Sequence, residues 1–338
     1  MNALIFSLSV RAAGRSRNLG TLLFFLIFAA ALCQAQTSSP TVPKPPWAKP
    51  ANPAPAQDDT TFKVEVKLVN VFVTVTDQNG APVGGLQKQN FKLLEDDVPQ
   101  NISVFSKESE LPLSIVLDVD TSLSTRKDLP LELNSARHFA HAILRPVDGL
   151  AVYGFSEVVD EVVPFTADLR TIDRGIEHLR MGAATALYDA IYVGSQALET
   201  RQGRKVLVVI TDGGDTVSKV DYQEALRAAQ ISEAIVYSII VVPIEASAGR
   251  DTGGEHALIQ LSADTGGKYF YATTVPQLEQ AFQTISDELR TQYLLAYYPT
   301  QRLADSDFRR ISVQLADVPD AAQYKTRHRS GYYTSKSR

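Results

Sequence analysis

Four strand-length runs in the middle of the chain, residues 113–120, 150–155, 206–211 and 235–242, are almost continuously apolar. A strand with one face in water alternates polar and apolar residues, whereas a strand covered on both faces does not. Between most of these runs lie helical stretches. Within 128–145, Leu129, Leu133, Ala136, Ala140 and Ile143 fall on one face, with Asp128 placed as N-cap. Residues 185–200 and 222–233 repeat that texture. Doubly covered strands alternating with helices require a mostly parallel sheet with helices on both sides, a doubly wound α/β domain over residues 111–292. Residues 158–165 follow the second run closely enough to be its hairpin partner, an antiparallel edge.

The flanks read differently. Residues 62–76 alternate, followed by Asp77-Gln78-Asn79-Gly80, and Asn-Gly is a strong hairpin signal. Residues 91–94 and 102–105 are further short strands separated by Glu95-Asp96-Asp97. Toward the carboxyl end, 293–298, 310–315 and 324–333 show the same β texture, with Pro299 and Pro319 as breakers. Two small β segments, 58–110 and 293–338, are expected to pair as one β-sandwich-like domain into which the α/β domain is inserted; two separate β modules would give the same pattern. Tyr293, Tyr297, Tyr298, Tyr332 and Tyr333 are expected to fill its core.

Ahead of these segments stand Arg11, Arg15 and Arg17, then an apolar run at 19–32 and small residues up to Ala35. This order reads as a secretory signal over residues 1–35. The apolar run, about fifteen residues, is shorter than the ~20 that span a bilayer comfortably. The expected location is therefore secreted, periplasmic or cell-envelope, with no stable membrane span after cleavage; an uncleaved N-terminal anchor is the alternative. Cleavage removes three arginines and no acid, taking the net charge from -5 to -8, and removes Cys33, the single cysteine. A disulfide framework, a cysteine-based zinc site and a cysteine nucleophile are thereby excluded. Residues 36–57 hold seven of the seventeen prolines and read as an extended linker.

With 33 basic and 38 acidic residues there is no basic excess for nucleic acid. Neither a Walker loop nor Gly-x-Gly-x-x-G follows a strand, so no nucleotide is expected. No Gly-x-Ser-x-Gly elbow occurs. His138 and His141, three apart on a helix, lack a third ligand nearby in sequence.

Ligands of open α/β sheets bind beyond the carboxyl ends of the strands. Three polar clusters fall there: Asp120-Thr121-Ser122-Leu123-Ser124, Thr185 before a helix, and Thr211-Asp212-Gly213-Gly214-Asp215. Each alone has an ordinary reading as a cap or turn. Together, Asp120, Ser122, Ser124, Thr185 and Asp212 resemble the metal-ion-dependent adhesion site of von Willebrand factor type A domains. The resemblance implies a non-enzymatic protein-binding module. Ser122, Ser124 and Thr185 would coordinate Mg2+ or Mn2+ through hydroxyls, and Asp120 and Asp212 directly or through water. An open position would attract a carboxylate of a protein partner. Such hard-oxygen sets suit both cations. Leu123 stands where many members have Gly, and Asp118 and Asp215 are candidates for outer positions around the metal. The alternative is an envelope scaffold whose loops bind partners without metal. Phe72-Val73-Thr74-Val75-Thr76-Asp77, Gly80, Leu86, Asn90-Phe91, Leu94-Glu95-Asp96 and the closing Gly331-Tyr332-Tyr333 resemble secreted bacterial relatives of that family, many of them acidobacterial.

Overall fold

The structure, a computed structural model, describes residues 68–107, 111–123, 129–242, 252–300 and 308–334. The expected signal segment, the proline-rich linker, Ser124 and the Asp128 cap lie outside the described residues.

Four short strands come first: β1 (Val69–Thr76), β2 (Phe91–Glu95), β3 (Val98–Gln100) and β4 (Ile102–Ser106). The α/β part follows as β5 (Leu113–Asp120), α1 (Leu129–Ile143), β6 (Gly149–Phe155), β7 (Val159–Thr166), α2 (Leu169–Glu177), α3 (Leu187–Glu199), β8 (Arg204–Thr211), α4 (Tyr222–Ser232), β9 (Ile235–Val241), α5 (Thr252–Thr265), β10 (Tyr269–Ala272) and α6 (Val275–Thr291). Strands β11 (Tyr293–Tyr297), β12 (Phe308–Leu315), β13 (Lys325–Arg327) and β14 (Gly331–Tyr333) close the chain.

The central sheet has six strands in the order β10-β9-β8-β5-β6-β7, all parallel except β7, which runs antiparallel to β6. The expected fold class and antiparallel edge are both present. Side chains of α1, α2 and α6 cover one face, where Phe139 and Phe282 stack with centroids 4.7 Å apart. Residues of α3, α4 and α5 cover the other. Leaving β5, the chain turns one way to β6; β8, β9 and β10 then build outward on β5's other side. The switch point lies between β5 and β8.

Two antiparallel four-stranded sheets, β13-β1-β11-β4 and β14-β12-β2-β3, share one core that includes Val71, Val73, Leu93, Tyr293, Leu295, Tyr297 and Val313. Strand β1 pairs with β11, and β2 with β12, so segments on either side of the α/β part are hydrogen-bonded together. The Asn-Gly turn forms, with Gly80 at φ 82° and its N–H on the Asp77 carbonyl, but it does not join two strands. Only an isolated bridge, Thr76 to Pro82, follows it. The residues after it, among them Gly84 and Gly85, lack alternation, and the edges of β1 are taken by β11 and β13. Residues 324–333, expected as one strand, are two short ones belonging to different sheets.

Tyr293, Tyr297 and Tyr332 are buried as expected, while Tyr298 is exposed. Their burial also serves a carboxylate. The hydroxyls of Tyr297 and Tyr332 donate to Glu95 Oε2 at 2.5 and 2.9 Å, which keeps a buried acid solvated inside the sandwich.

An ion pair ties the sandwich to the α/β part. Glu288 of α6, wholly buried, lies 2.6 Å from Arg327 of β13 and 3.7 Å from Lys268. Arg327 also donates to the Gly267 carbonyl at 2.6 Å. Among the described residues no helix is long and apolar enough to cross a membrane.

Two outcomes follow in equilibrium unfolding by urea. Arg327→Met removes the nearer cation from buried Glu288, and stability falls by about 3 kcal/mol; the same loss is absent when Glu288→Met is added. The second concerns Asp148, whose carboxylate accepts from the backbone N–H groups of Leu113 and Arg145 and from the Arg145 guanidinium, all within 2.9 Å. Burial pushes its pKa up, but these hydrogen bonds and the Arg145 charge outweigh burial and hold it below the usual 3.8. A depressed carboxylate stabilises the fold above its unfolded pKa and loses that contribution as pH falls through the folded one. Asp148→Asn therefore costs about 1.5–3 kcal/mol at pH 7, and the gap to wild type closes as pH drops below about 4.

Candidate functional site

Strand β5 is buried along its whole length and ends in Asp120, which brings a carboxylate to the switch point. One oxygen of Asp120 accepts the Ser122 N–H at 2.8 Å, closing a tight turn, and the other accepts the Thr211 hydroxyl at 2.7 Å from the neighbouring strand β8. Burial above all raises the Asp120 pKa to about 6; the hydrogen bonds from Ser122 and Thr211 oppose it, and the nearby Asp212 charge adds to it. Asp120 and Ser122 are both almost fully buried, as is Thr185.

Asp212 follows β8 directly, one residue beyond Thr211. Its loop is pressed against the first turn of α5. Gly213 has φ 100°, and a Cβ on Gly254 would fall 1.5 Å from the Gly213 carbonyl oxygen, so the close approach depends on glycine at both places. The Gly213 N–H donates to the Thr211 hydroxyl at 3.1 Å, which places Thr211 at the joint between Asp120 and Asp212.

Thr185 precedes α3 without capping it: the N-cap position is Ala186. The first-turn N–H groups of α3 are instead met from the Asp212 loop. Asp215 accepts from Tyr188 N–H at 3.3 Å, and the Ser218 hydroxyl accepts from Tyr188 and Asp189 at 3.0 and 3.1 Å. In return Asp189 accepts the N–H groups of Lys219 and Val220 at 2.9 and 3.0 Å. The Thr216 hydroxyl accepts the Thr185 N–H at 2.9 Å, and the Thr216 N–H donates to the Thr185 carbonyl at 2.8 Å. The fold thus brings Asp120, Ser122, Thr185 and Asp212 to one edge and binds their loops to each other; Ser124 lies outside the described residues.

Of the two outer candidates, Asp215 is occupied at the start of α3. Asp118 lies two residues below Asp120, fully buried, with neither carboxylate oxygen hydrogen-bonded among the described residues. Burial drives its pKa well above the usual carboxylate value. Room for it exists because α3 carries Gly194 there, where an added Cβ would meet Asp118 Oδ2 at 3.1 Å. His138 and His141 lie on α1 facing Glu279 at 3.6 Å and Asp173 at 3.1 Å, away from this edge. Thr211, Thr216, Ser218, Asp189 and Glu157 act in positioning the loops and stand outside the residues expected from sequence. Among them only Thr211 carries a sequence cue, as the last residue of a buried strand beside the Asp212 cluster.

Residues 114–214 match the von Willebrand factor type A domain family. Over those residues the chain is similar to that family. The match takes in Asp120, Ser122, Thr185 and Asp212 and does not reach the flanking β segments. No curated protein matches the chain. Among solved structures, BatB of Bacteroides thetaiotaomicron aligns with 18% identity over 53% of this chain and 100% of its own, with a TM-score of 0.44. A von Willebrand factor type A protein of Catenulispora acidiphila aligns with 10% identity over 81% of this chain and 74% of its own, TM-score 0.48. The vWF domain of the type V pili tip protein Mfa5 from Porphyromonas gingivalis gives 14% identity, 52% and 94% coverage and a TM-score of 0.43.

The donor set suits a hard cation. Asp120, Ser122, Thr185 and Asp212 offer carboxylate and hydroxyl oxygens, the ligand type that hard divalent cations take. Buried hydroxyls beside two interacting carboxylates provide that chemistry.

Thr211→Val removes the hydroxyl donor to Asp120 at nearly constant shape. The variant should lose about 1–3 kcal/mol in chemical denaturation, since a buried carboxylate oxygen forfeits its partner; Thr211→Ser should retain most of it.

Proposed function

We propose that the chain is an exported, non-enzymatic binding protein whose von Willebrand factor type A domain holds Mg2+ or Mn2+ through Asp120, Ser122, Ser124, Thr185 and Asp212 and thereby engages a carboxylate of a protein partner. The observation that carries this reading is the bonding of three polar loops into one edge: Asp120 accepts from Ser122 and Thr211, and Thr185 is held to the Asp212 loop through Thr216. When bound, the cation supplies positive charge and an open coordination position for an anionic oxygen. The chain's own residues then have distinct work. Thr211 and the Ser122 N–H orient the Asp120 carboxylate. Thr216 and Asp189 keep the Thr185 loop against the Asp212 loop. Neutral hydroxyls among the donors leave the cation incompletely neutralised, which favours an acidic partner group.

Export is supported by Arg11, Arg15 and Arg17 ahead of the apolar run at 19–32. The pairing of β1 with β11 and β2 with β12 supports residues 58–110 and 293–338 as one domain interrupted by residues 111–292.

Thermal unfolding of the full chain with and without Mg2+ tests the site. At a cation concentration about 100 times the dissociation constant, stabilisation of roughly 2.7 kcal/mol is expected and EDTA reverses it. Asp120→Ala and Asp212→Ala should unfold at the same temperature in Mg2+ and EDTA. A wild type indifferent to millimolar Mg2+ and Mn2+ overturns the metal site.

A further inference from the structure

Loops at the strand ends are ordinarily rich in polar and turn-forming residues. Here four of them present large apolar side chains to solvent. Leu123 is 54% exposed, Val158 56%, Met181 41% and Val217 44%. Isolated exposed apolar residues need no explanation, but a cluster at one site does.

Backbone hydrogen bonds show that these four surround the candidate metal donors. Thr121 N–H donates to the Phe155 carbonyl at 2.8 Å, and Gly182 N–H donates to the Thr121 carbonyl at 3.0 Å. Glu157 accepts the Ala183 N–H at 2.8 Å. Val217 N–H donates to the Thr185 carbonyl at 3.2 Å. Leu123 is two residues from the first pair of bonds, Met181 adjoins Gly182, Val158 adjoins Glu157, and Val217 itself makes the last. The four therefore stand on four loops that are directly bonded around Asp120, Ser122, Thr185 and Asp212. Exposed basic residues lie beside them, Arg180 next to Met181 and Lys219 two residues from Val217. Of the acids equally near, Glu157 is engaged with backbone N–H groups and Asp215 with Tyr188 and Ser218, while Asp160 is exposed two residues from Val158.

We propose that Leu123, Val158, Met181 and Val217 form an apolar collar that selects a protein segment whose acidic residue is flanked by apolar side chains. The inference rests on the cation-site reading and adds the composition of the partner around its carboxylate. An acid within a polar segment would leave the collar in contact with water-seeking groups, whereas apolar flanks would remove four exposed side chains from water together with their own. Arg180 and Lys219 add attraction for the acid at the rim.

A random dodecapeptide library displayed on phage, selected on the immobilised full chain in Mg2+ and eluted with EDTA, tests this. The expected consensus is one Asp or Glu with large apolar residues within two positions. The double variant Val158→Ser/Met181→Ser, altered only at exposed side chains, should bind synthetic peptides of that consensus at least tenfold more weakly while its Mg2+-dependent melting shift stays at the wild-type value. Acidic peptides without apolar flanks, no consensus at all, or a double variant that binds as wild type does, overturn the collar. If the melting shift is absent, yet acidic peptides with apolar flanks bind in EDTA and weaken when Asn replaces the acid, the collar stands and the cation reading falls. If the shift is present and the flanks are polar, the collar falls and the cation reading stands.

Discussion

Strand β5 has no solvent-facing side, and the rest of the domain follows from that constraint. Each of its residues from Leu113 to Asp120 is buried, so both faces need helices and both edges need strands. Parallel neighbours β6 and β8 supply the edges, and their connections place helices on opposite faces. The same arrangement fixes where chemistry occurs. A sheet wound outward in two directions from β5 leaves a crevice above its carboxyl end, and the last residue of β5 is an aspartate. Thr211, at the end of the adjacent strand, meets that aspartate across the register. The site is therefore a product of sheet order before it is a product of loop sequence.

Burying polar groups in such a strand has a cost that the fold meets unevenly. Asp120 is hydrogen-bonded from two directions, and Asp148 by the backbone N–H of Leu113 and the backbone and guanidinium of Arg145. Asp118 is not hydrogen-bonded among the described residues and sits against Gly194, in a pocket too apolar to favour its charged form. Burial drives its pKa up, because the charged form is the one that loses its hydration in the core. Asp120 has its turn, its cross-strand donor and its neighbouring acid, while Asp118 faces helix α3.

Much of this was legible from periodicity. The four apolar runs gave β5, β6, β8 and β9 to within two residues, because strands buried on both faces leave a dense signal. Asp120, Ser122 and Asp212 were legible as strand-end residues and Thr185 as a residue before a helix, and the structure brings them to one edge. The strand β3 was hidden by Pro99 and by its length of three residues. Helix α5 begins with Thr252-Gly253-Gly254, poor helix formers that serve the approach of the Asp212 loop. Helix α6 does carry Leu278, Ala281, Phe282, Ile285 and Leu289 at helical spacing, and its buried Glu288 answers an arginine some forty residues later. Such long-range partners leave no local trace. The same holds for Thr216, whose sequence context is an ordinary polar loop and whose role comes entirely from facing Thr185.

The chain's division between sandwich and α/β part has a mechanical consequence. Helix α6 ends at Thr291, and β11 begins at Tyr293 with Gln292 alone between them, itself buried and bonded to Thr74 of β1 at 3.1 Å. At the same end, Glu288 meets Arg327, and the Ser330 N–H donates to the Asp264 carbonyl at 2.8 Å. Arg329 donates to the Asn70 carbonyl and lies 3.5 Å from Glu233. These contacts all lie at the amino ends of the parallel strands or on the helices that return there, opposite Asp120. The sandwich is thus anchored to the face of the domain away from the candidate site, which leaves the four loops around Asp120 uncovered by the chain's other described residues. Anchoring on one side and exposure on the other is the arrangement a presented binding edge requires.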